Sequence, residues 1–200
     1  METIETHGDY TLSLEHDQDC ESPLENDPGV CITYRAGART CIGNTPLDQE
    51  AHAEVAARIE SGELIGLPVY AYVHSGIALS TGPFSCPWDS GQSGFIYVDR
   101  ATALEWQGGK ILTAKRRAAT LRSLEGVLSA YGDWINGDCY GFIIERAGEH
   151  VDSCWGFIGY KYAKEEGRDA LAARIACDEK ASTQETRERN YWAARDVITI

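Results

Sequence analysis

Two strand-like segments, Asp138-Cys-Tyr-Gly-Phe-Ile-Ile-Glu145 and Val151-Asp-Ser-Cys-Trp-Gly-Phe-Ile158, flank the turn pair Ala147-Gly148. A pattern of this kind folds back as a β-hairpin, and a hairpin contributes antiparallel strands to a sheet. Other strand signals agree with it. Tyr10–Glu15 alternates, and Gly29–Tyr34 reads as a second short strand. Pro68 to Ser80 places Val69, Ala71 and Val73 on one face and Tyr70, Tyr72 and His74 on the other. Ser75-Gly76 bulges or turns that segment, and Gly94–Val98 is a further strand. Strands near 69–80, 94–98, 138–145 and 151–158 are expected to share one sheet, with Phe95, Phe142 and Phe157 mostly buried.

Helix signals lie between the strands. Thr45 can cap a helix that has Pro46 at its first position and Asp48 near the positive dipole end. Ala51, Val55 and Ile59 share a face, and Gly62 is its stop. Asp99 caps a short helix through Trp106. A longer helix runs from about Leu112 to Trp134, with an apolar stripe of Ala114, Ala118, Leu121, Leu124, Leu128 and Tyr131. Two polar helices are expected at the end, Tyr160–Cys177 and Thr183–Asp196, as a solvated lid. The fold class is α+β: a single domain with a mostly antiparallel sheet, flanking helices and a C-terminal helical segment. Residues 1–160 form the core, and 161–200 are helices packed on or extending from it.

The tripeptide Gly-Phe-Ile occurs at 94–96, 141–143 and 156–158. In a strand such a glycine lets a neighbouring aromatic ring lie over bare backbone.

Composition narrows the setting. Hydrophobic residues are 43% and charged residues 24% of 200, ordinary values for a globular chain. No apolar run approaches the ~18 residues of a membrane span. Residues 1–30 hold no Lys or Arg and no apolar core segment, which points to a chain kept in the cytoplasm. The seven cysteines form no Cys-x-x-Cys pair, so free thiols are expected. His74, Cys139, His150 and Cys154 do not have the spacing of a metal site, and no metal or cofactor is expected.

The net charge is −13. It opposes direct binding to nucleic acid or anionic membrane and suits a partner with a basic surface. Residues 1–30 carry nine acidic side chains and no basic one. Residues 110–122 carry five basic ones (Lys110, Lys115, Arg116, Arg117 and Arg122) and no acidic one.

The richest chemical segment is His74-Ser-Gly followed by Thr81-Gly-Pro-Phe-Ser-Cys-Pro-Trp-Asp-Ser-Gly-Gln92. It presents Trp88, Asp89 and Gln92 at a rim, and Trp is a frequent interface anchor. Cys86 as a nucleophile would need His74 or His150 as its base. Pro87 removes the amide that an oxyanion hole often uses, which counts against that role. Asp138-Cys139-Tyr-Gly-Phe is similar to the nucleophile segment of cell-wall cysteine peptidases. However, Cys139 lies in a strand, and its only downstream histidine, His150, is in the same hairpin.

The run Val69-Tyr70 … His74-Ser-Gly … Pro83-Phe-Ser-Cys-Pro-Trp-Asp-Ser-Gly-Gln92 … Gly94-Phe-Ile-Tyr97 resembles a family of uncharacterised accessory proteins of bacteriophages and conjugative elements. Gly137-Asp138 … Tyr140-Gly-Phe142, Asp152-Ser-Cys-Trp-Gly-Phe157 and the acidic Asp19-Cys-Glu-Ser-Pro23 fit the same pattern. Two positions depart from it: Val73 stands where the pattern favours Asp, and Cys139 where it tends to lack a cysteine. The resemblance covers roughly residues 10–160 and carries no catalytic assignment. It implies a counter-defence inhibitor, of the antirestriction or anti-CRISPR kind.

Three readings follow. The first is a non-enzymatic inhibitor that docks on a basic host protein or protein–nucleic-acid complex. Asp17, Asp19, Glu21, Glu25 and Asp27 form its electrostatic patch, nucleic-acid-like in charge, and Trp88, Asp89 and Gln92 its rim. The second is a small-molecule or nucleotide enzyme using His74, Asp89 and Cys86. The third is a sponge for a charged signalling nucleotide, with Lys115, Arg116 and Arg117 on the phosphates.

Overall fold

A computed structural model describes residues 1–27, 29–86 and 88–196, with side-chain burial through Trp192. In chain order the elements are β1 (Glu2–His7), β2 (Tyr10–His16), α1 (Pro23–Asn26), β3 (Cys31–Arg35), β4 (Thr45–Leu47), α2 (Gln49–Glu60) and β5 (Leu64–Val73). They continue with β6 (Ile77–Ser80), β7 (Ser90–Asp99), α3 (Arg100–Gln107), α4 (Ala114–Ile135), β8 (Cys139–Arg146), β9 (Glu149–Ile158) and α5 (Tyr160–Asp196). The class is α+β, and among the described residues every strand pair but β3–β4 is antiparallel. Contacts divide the chain into two compact units, Met1–Asp19 with Cys139–Ile200, and Cys20–Asp138.

The first unit is a four-stranded sheet, β1-β2-β8-β9, under the long helix α5. Its two hairpins turn through Gly8 (φ 59°) and through Ala147 and Gly148 (φ 52° and 83°). Leu12 lies opposite Ile144 and Leu14 opposite Phe142. These four meet Ala163 and Leu171 of α5 in one buried cluster. Gly167 lets the helix sit close, because a Cβ there would lie 3.1 Å from Leu12 Cδ1 and from Phe142 Cβ.

The second unit is a five-stranded sheet, β4-β3-β7-β5-β6. Val30, Ile32, Ile65, Val69, Ile96 and Val98 form a core with Leu124, Leu128 and Tyr131 of α4. A smaller cluster joins Val55 of α2 to Leu64 and Phe95. Thr33 is fully buried, and its hydroxyl accepts from Phe95 N (2.9 Å) and donates to Phe95 O (3.3 Å). That bridge holds β3 against β7.

Several sequence expectations change. The four late strands lie in two sheets, because β8 pairs with β2 and not with β5 or β7. Alternation states which face of a strand is apolar, and it does not name the strand beside it. Phe95 and Phe142 are buried, at 7% and 5% exposure, but Phe157 is only half-buried near the sheet edge. Strand β1 carried no apolar signal: its side chains are nearly all exposed, and backbone pairing to β2 holds it, helped by Ile4 on the core cluster and by the Glu2–Tyr160 and Glu5–Arg168 contacts.

Thr45-Pro-Leu47 is the short strand β4, and the helix starts only after Asp48. Asp48 is the true cap, accepting from Ala51 N at 2.8 Å. Asp48→Ala should lose about 1 kcal/mol of stability, read as a shift in the urea midpoint at constant slope. In α4 the inward stripe runs through Thr120, Leu124, Leu128 and Tyr131, while Ala114 and Ala118 are exposed. The segment 68–80 is two strands with a turn at 74–76. The two C-terminal helices are one helix of 37 residues. It packs on the sheet as far as Asp178, and residues 179–192 are exposed all round.

The three Gly-Phe-Ile copies serve three different needs. At Gly141 the Trp155 ring covers the bare backbone, as the sequence pattern suggests. At Gly94 the close neighbour is backbone: a Cβ would sit 1.9 Å from Thr33 O. Gly156 has open space but a φ of 88°.

Candidate functional site

The chemistry-rich segment lies in the second unit. Strand β5 ends at Val73, and His74 N donates to Gly76 O (3.1 Å) to close the turn into β6. Asn136, at the C-terminus of α4, clamps that turn. It accepts from Ile77 N (2.9 Å) and donates to Ile77 O (2.7 Å). The loop after β6 is braced as well. Gly82 N donates to Ser80 Oγ (3.0 Å), Ser90 Oγ donates to Cys86 O, and Val73 N donates to Asp89 O (3.0 Å). Tyr72 and Phe84 meet with ring centroids 5.9 Å apart.

Out of this braced loop stands Trp88, 91% exposed. Its neighbour Asp89 is exposed too, and Cys86 is half-buried. Gln92 falls within β7 opposite Tyr70, and its amide donates to Gly94 O at 3.4 Å. His74 is exposed, with its ring 6.4 Å from that of Tyr72. Among the described residues no hydrogen bond or ion pair joins His74 to Cys86 or Asp89. Pro87, whose missing N–H bears on Cys86, lies outside the described residues, as does Pro28 of the acidic segment.

The acidic segment divides between the units. Asp17 and Asp19 belong to the first, and Glu21, Glu25 and Asp27 to the second. Asp17 is a brace: its carboxylate accepts from Asp19 N (3.0 Å) and Gly156 N (2.9 Å). Asp19, Glu21 and Glu25 are exposed, and Asp27 is half-buried at the end of α1. In the basic run, Arg116 donates to Ile111 O (2.8 Å) and caps the approach to α4. Lys115 is exposed and Arg117 half-buried.

No family model, curated protein or solved structure matches this chain. Its site is therefore argued from its own residues.

Two features escaped the sequence reading. A pocket of about 320 Å³ lies between Arg35, Leu47, Asp48 and His52 in the second unit. Burial first, and the Arg35 charge second, lower the His52 pKa. His52 packs on Phe95 at 4.7 Å, and its Nε2 is buried without a hydrogen-bond partner among the described residues. The neutral ring therefore supports the fold above its unfolded pKa. That support is lost as pH falls through the lowered folded value.

In the first unit a cleft of about 550 Å³ opens beside Tyr10, Arg146 and Asp178. Asp178 of α5 accepts from Tyr10 OH, and it meets Arg146 at 3.3 Å and Arg174 at 3.4 Å. Arg146 also lies 5.2 Å over the Tyr10 ring. The Tyr10 hydrogen bond is the main cause that lowers the Asp178 pKa, and the same bond raises that of Tyr10. With three donors on one carboxylate, the cluster works as a strut between α5 and the sheet.

All seven cysteines are free thiols. Cys139 faces Ile158 and Cys154 faces Phe142 across the hairpin, so the two are not opposite one another. Among the described residues no three His, Cys, Asp or Glu side chains gather as metal ligands. No described helix is long and apolar enough to cross a membrane.

Proposed function

We propose that this chain is a non-enzymatic binding protein that docks on a host protein or protein–nucleic-acid complex with a basic surface. The supporting observation is Trp88, an indole left 91% exposed by a loop whose backbone is hydrogen-bonded on both sides. A loop tied by such hydrogen bonds that still leaves so large an apolar ring in water has that ring available as an anchor. The net charge of −13 supplies long-range attraction toward a basic partner. The resemblance to accessory proteins of bacteriophages and conjugative elements supports a counter-defence inhibitor acting in the host cytoplasm.

The test begins with a pull-down from host lysate and continues with surface kinetics against the captured protein at two ionic strengths. Charge reversal at Asp19, Glu21 and Glu25 should lower the on-rate and flatten its salt dependence. Screening shortens from about 10 Å at 0.1 M salt to about 3 Å at 1 M. Asp17 is left out because it braces Gly156. Trp88→Ala should raise the off-rate at least tenfold with little change in salt response. Wild-type kinetics in both variants would place the binding surface elsewhere.

A further inference from the structure

Strand β1 is the outer strand of its sheet, and among the described residues only β2 pairs with it. Its side chains are exposed except Ile4, which is half-buried. Side chains of helix α5, which packs on β2, β8 and β9, reach it. Glu2 accepts from Tyr160 OH (3.1 Å), Glu5 pairs with Arg168 (3.0 Å), and His7 lies near Ile175 and Glu179. Between strand and helix lies a groove of about 330 Å³. Ala172, Ile175 and Ala176 form its apolar floor, and Glu5 and His7 its wall.

The edge has unpaired backbone. His7 and Tyr10 flank the two-residue turn Gly8-Asp9, so this pair directs its backbone groups toward each other. Alternation then turns the N–H and C=O of Thr6 away from β2. An edge strand with open backbone groups beside an apolar groove is the arrangement that accepts an added strand.

We infer that β1 and α5 form a strand-addition site for an extended segment of a basic partner, one with apolar side chains followed two positions later by Lys or Arg. The spacing supports this. A strand advances about 6.8 Å over two residues, and a helix about 6 Å over four. β1 and α5 run in the same direction, since Glu2, Glu5 and His7 meet Tyr160, Arg168 and the 175–179 turn in that order. In a segment added parallel to β1, an apolar side chain level with Ile175 therefore puts the side chain two positions on level with Glu179. Charge selects the basic residue. Arg168 is already paired with Glu5, and Glu179 has no ion-pair partner among the described residues. This inference rests on the binding-protein reading and assigns part of the partner's chemistry.

The probe is the blocked peptide Thr-Val-Thr-Val-Thr-Lys-Thr, with a control carrying Glu in place of Lys. Both are titrated into the full chain and followed by NMR shifts and amide exchange. The Lys peptide should saturate and slow exchange of the Thr6 amide at least tenfold. The Glu peptide should bind at least tenfold more weakly. Thr6→Pro, which removes an outward donor at an edge that tolerates proline, should abolish binding, as should Ala172→Arg, which fills the groove. Glu179→Lys, on an exposed helix turn, should reverse the preference between the peptides. Unchanged Thr6 exchange at saturation, or equal affinity for both peptides, would overturn the inference. So would concentration-dependent Thr6 protection in the free chain, which would assign the edge to a second copy. If Thr6→Pro and Ala172→Arg bind the captured host protein normally while Trp88→Ala does not, the groove is wrong and the binding reading stands. If the peptide results hold while Trp88→Ala and the charge reversal bind normally, the groove stands and the loop reading fails.

Discussion

Gly94→Ala should cost more than about 3 kcal/mol, whereas the same change at Gly141 should stay within about 1 kcal/mol. The two glycines begin the same tripeptide, so sequence context alone does not separate them. Their surroundings do. A Cβ on Gly94 would stand 1.9 Å from the carbonyl oxygen of Thr33, which is backbone in the neighbouring strand β3. That backbone cannot withdraw without breaking the Thr33–Phe95 hydrogen bonds that hold β3 to β7. The three atoms nearest to a Cβ on Gly141 all belong to the Trp155 ring, a side chain 46% exposed and able to give way toward solvent as the Thr33 backbone is not. Gly156→Ala should fall between them, at about 1–2 kcal/mol, because its φ of 88° strains an L-residue although the space is open. Native-state hydrogen exchange at Ile96 for the first variant, and at Ile144 for the other two, reads each unit separately. Equal losses at all three glycines would remove this explanation.

The second large effect is at Phe142, where truncation to Ala should cost about 3–5 kcal/mol. Phe142 is 5% exposed and lies under α5, in one cluster with Leu12, Leu14, Ala163 and Leu171. Its ring stacks on Phe157 at 5.6 Å. The helix leaves little room to collapse into the hole, since Gly167 already approaches Phe142 Cβ. Phe157→Ala should cost roughly half as much or less, because that ring is only partly buried and packs at the margin of the cluster. Exchange at Ile144 and the urea midpoint both report the difference. A Phe157 loss as large as that of Phe142 would mean the edge of this sheet is covered in solution.

Local chemistry made much of the fold legible. The Ala147-Gly148 turn, the Asp99 cap and the apolar face of α4 below Leu121 follow from rules that act within a few residues. The same holds for the alternation of Val69 and Ala71 against Tyr70 and Tyr72. The charge separation is written in the chain as well, because it needs no partner strand to exist. At the site, the sequence marked Trp88 as a rim residue, and the structure exposes it. It also offered Asp17 as part of a binding patch, and the structure uses that carboxylate to hold Gly156.

What tertiary structure alone decided has one physical source: contacts between residues far apart in the chain. Whether β8 joins β2 or β5 depends on which apolar faces can be covered together, and alternation is silent on that. Thr45-Pro-Leu47 carries helix-start residues, yet β3 lends it a parallel partner and it becomes a strand. Strand β1 has no apolar face to announce it, and Tyr10 meets Asp178 across 168 residues. Three copies of Gly-Phe-Ile read alike, yet a carbonyl, an indole ring and a positive φ give their glycines three different reasons to be there.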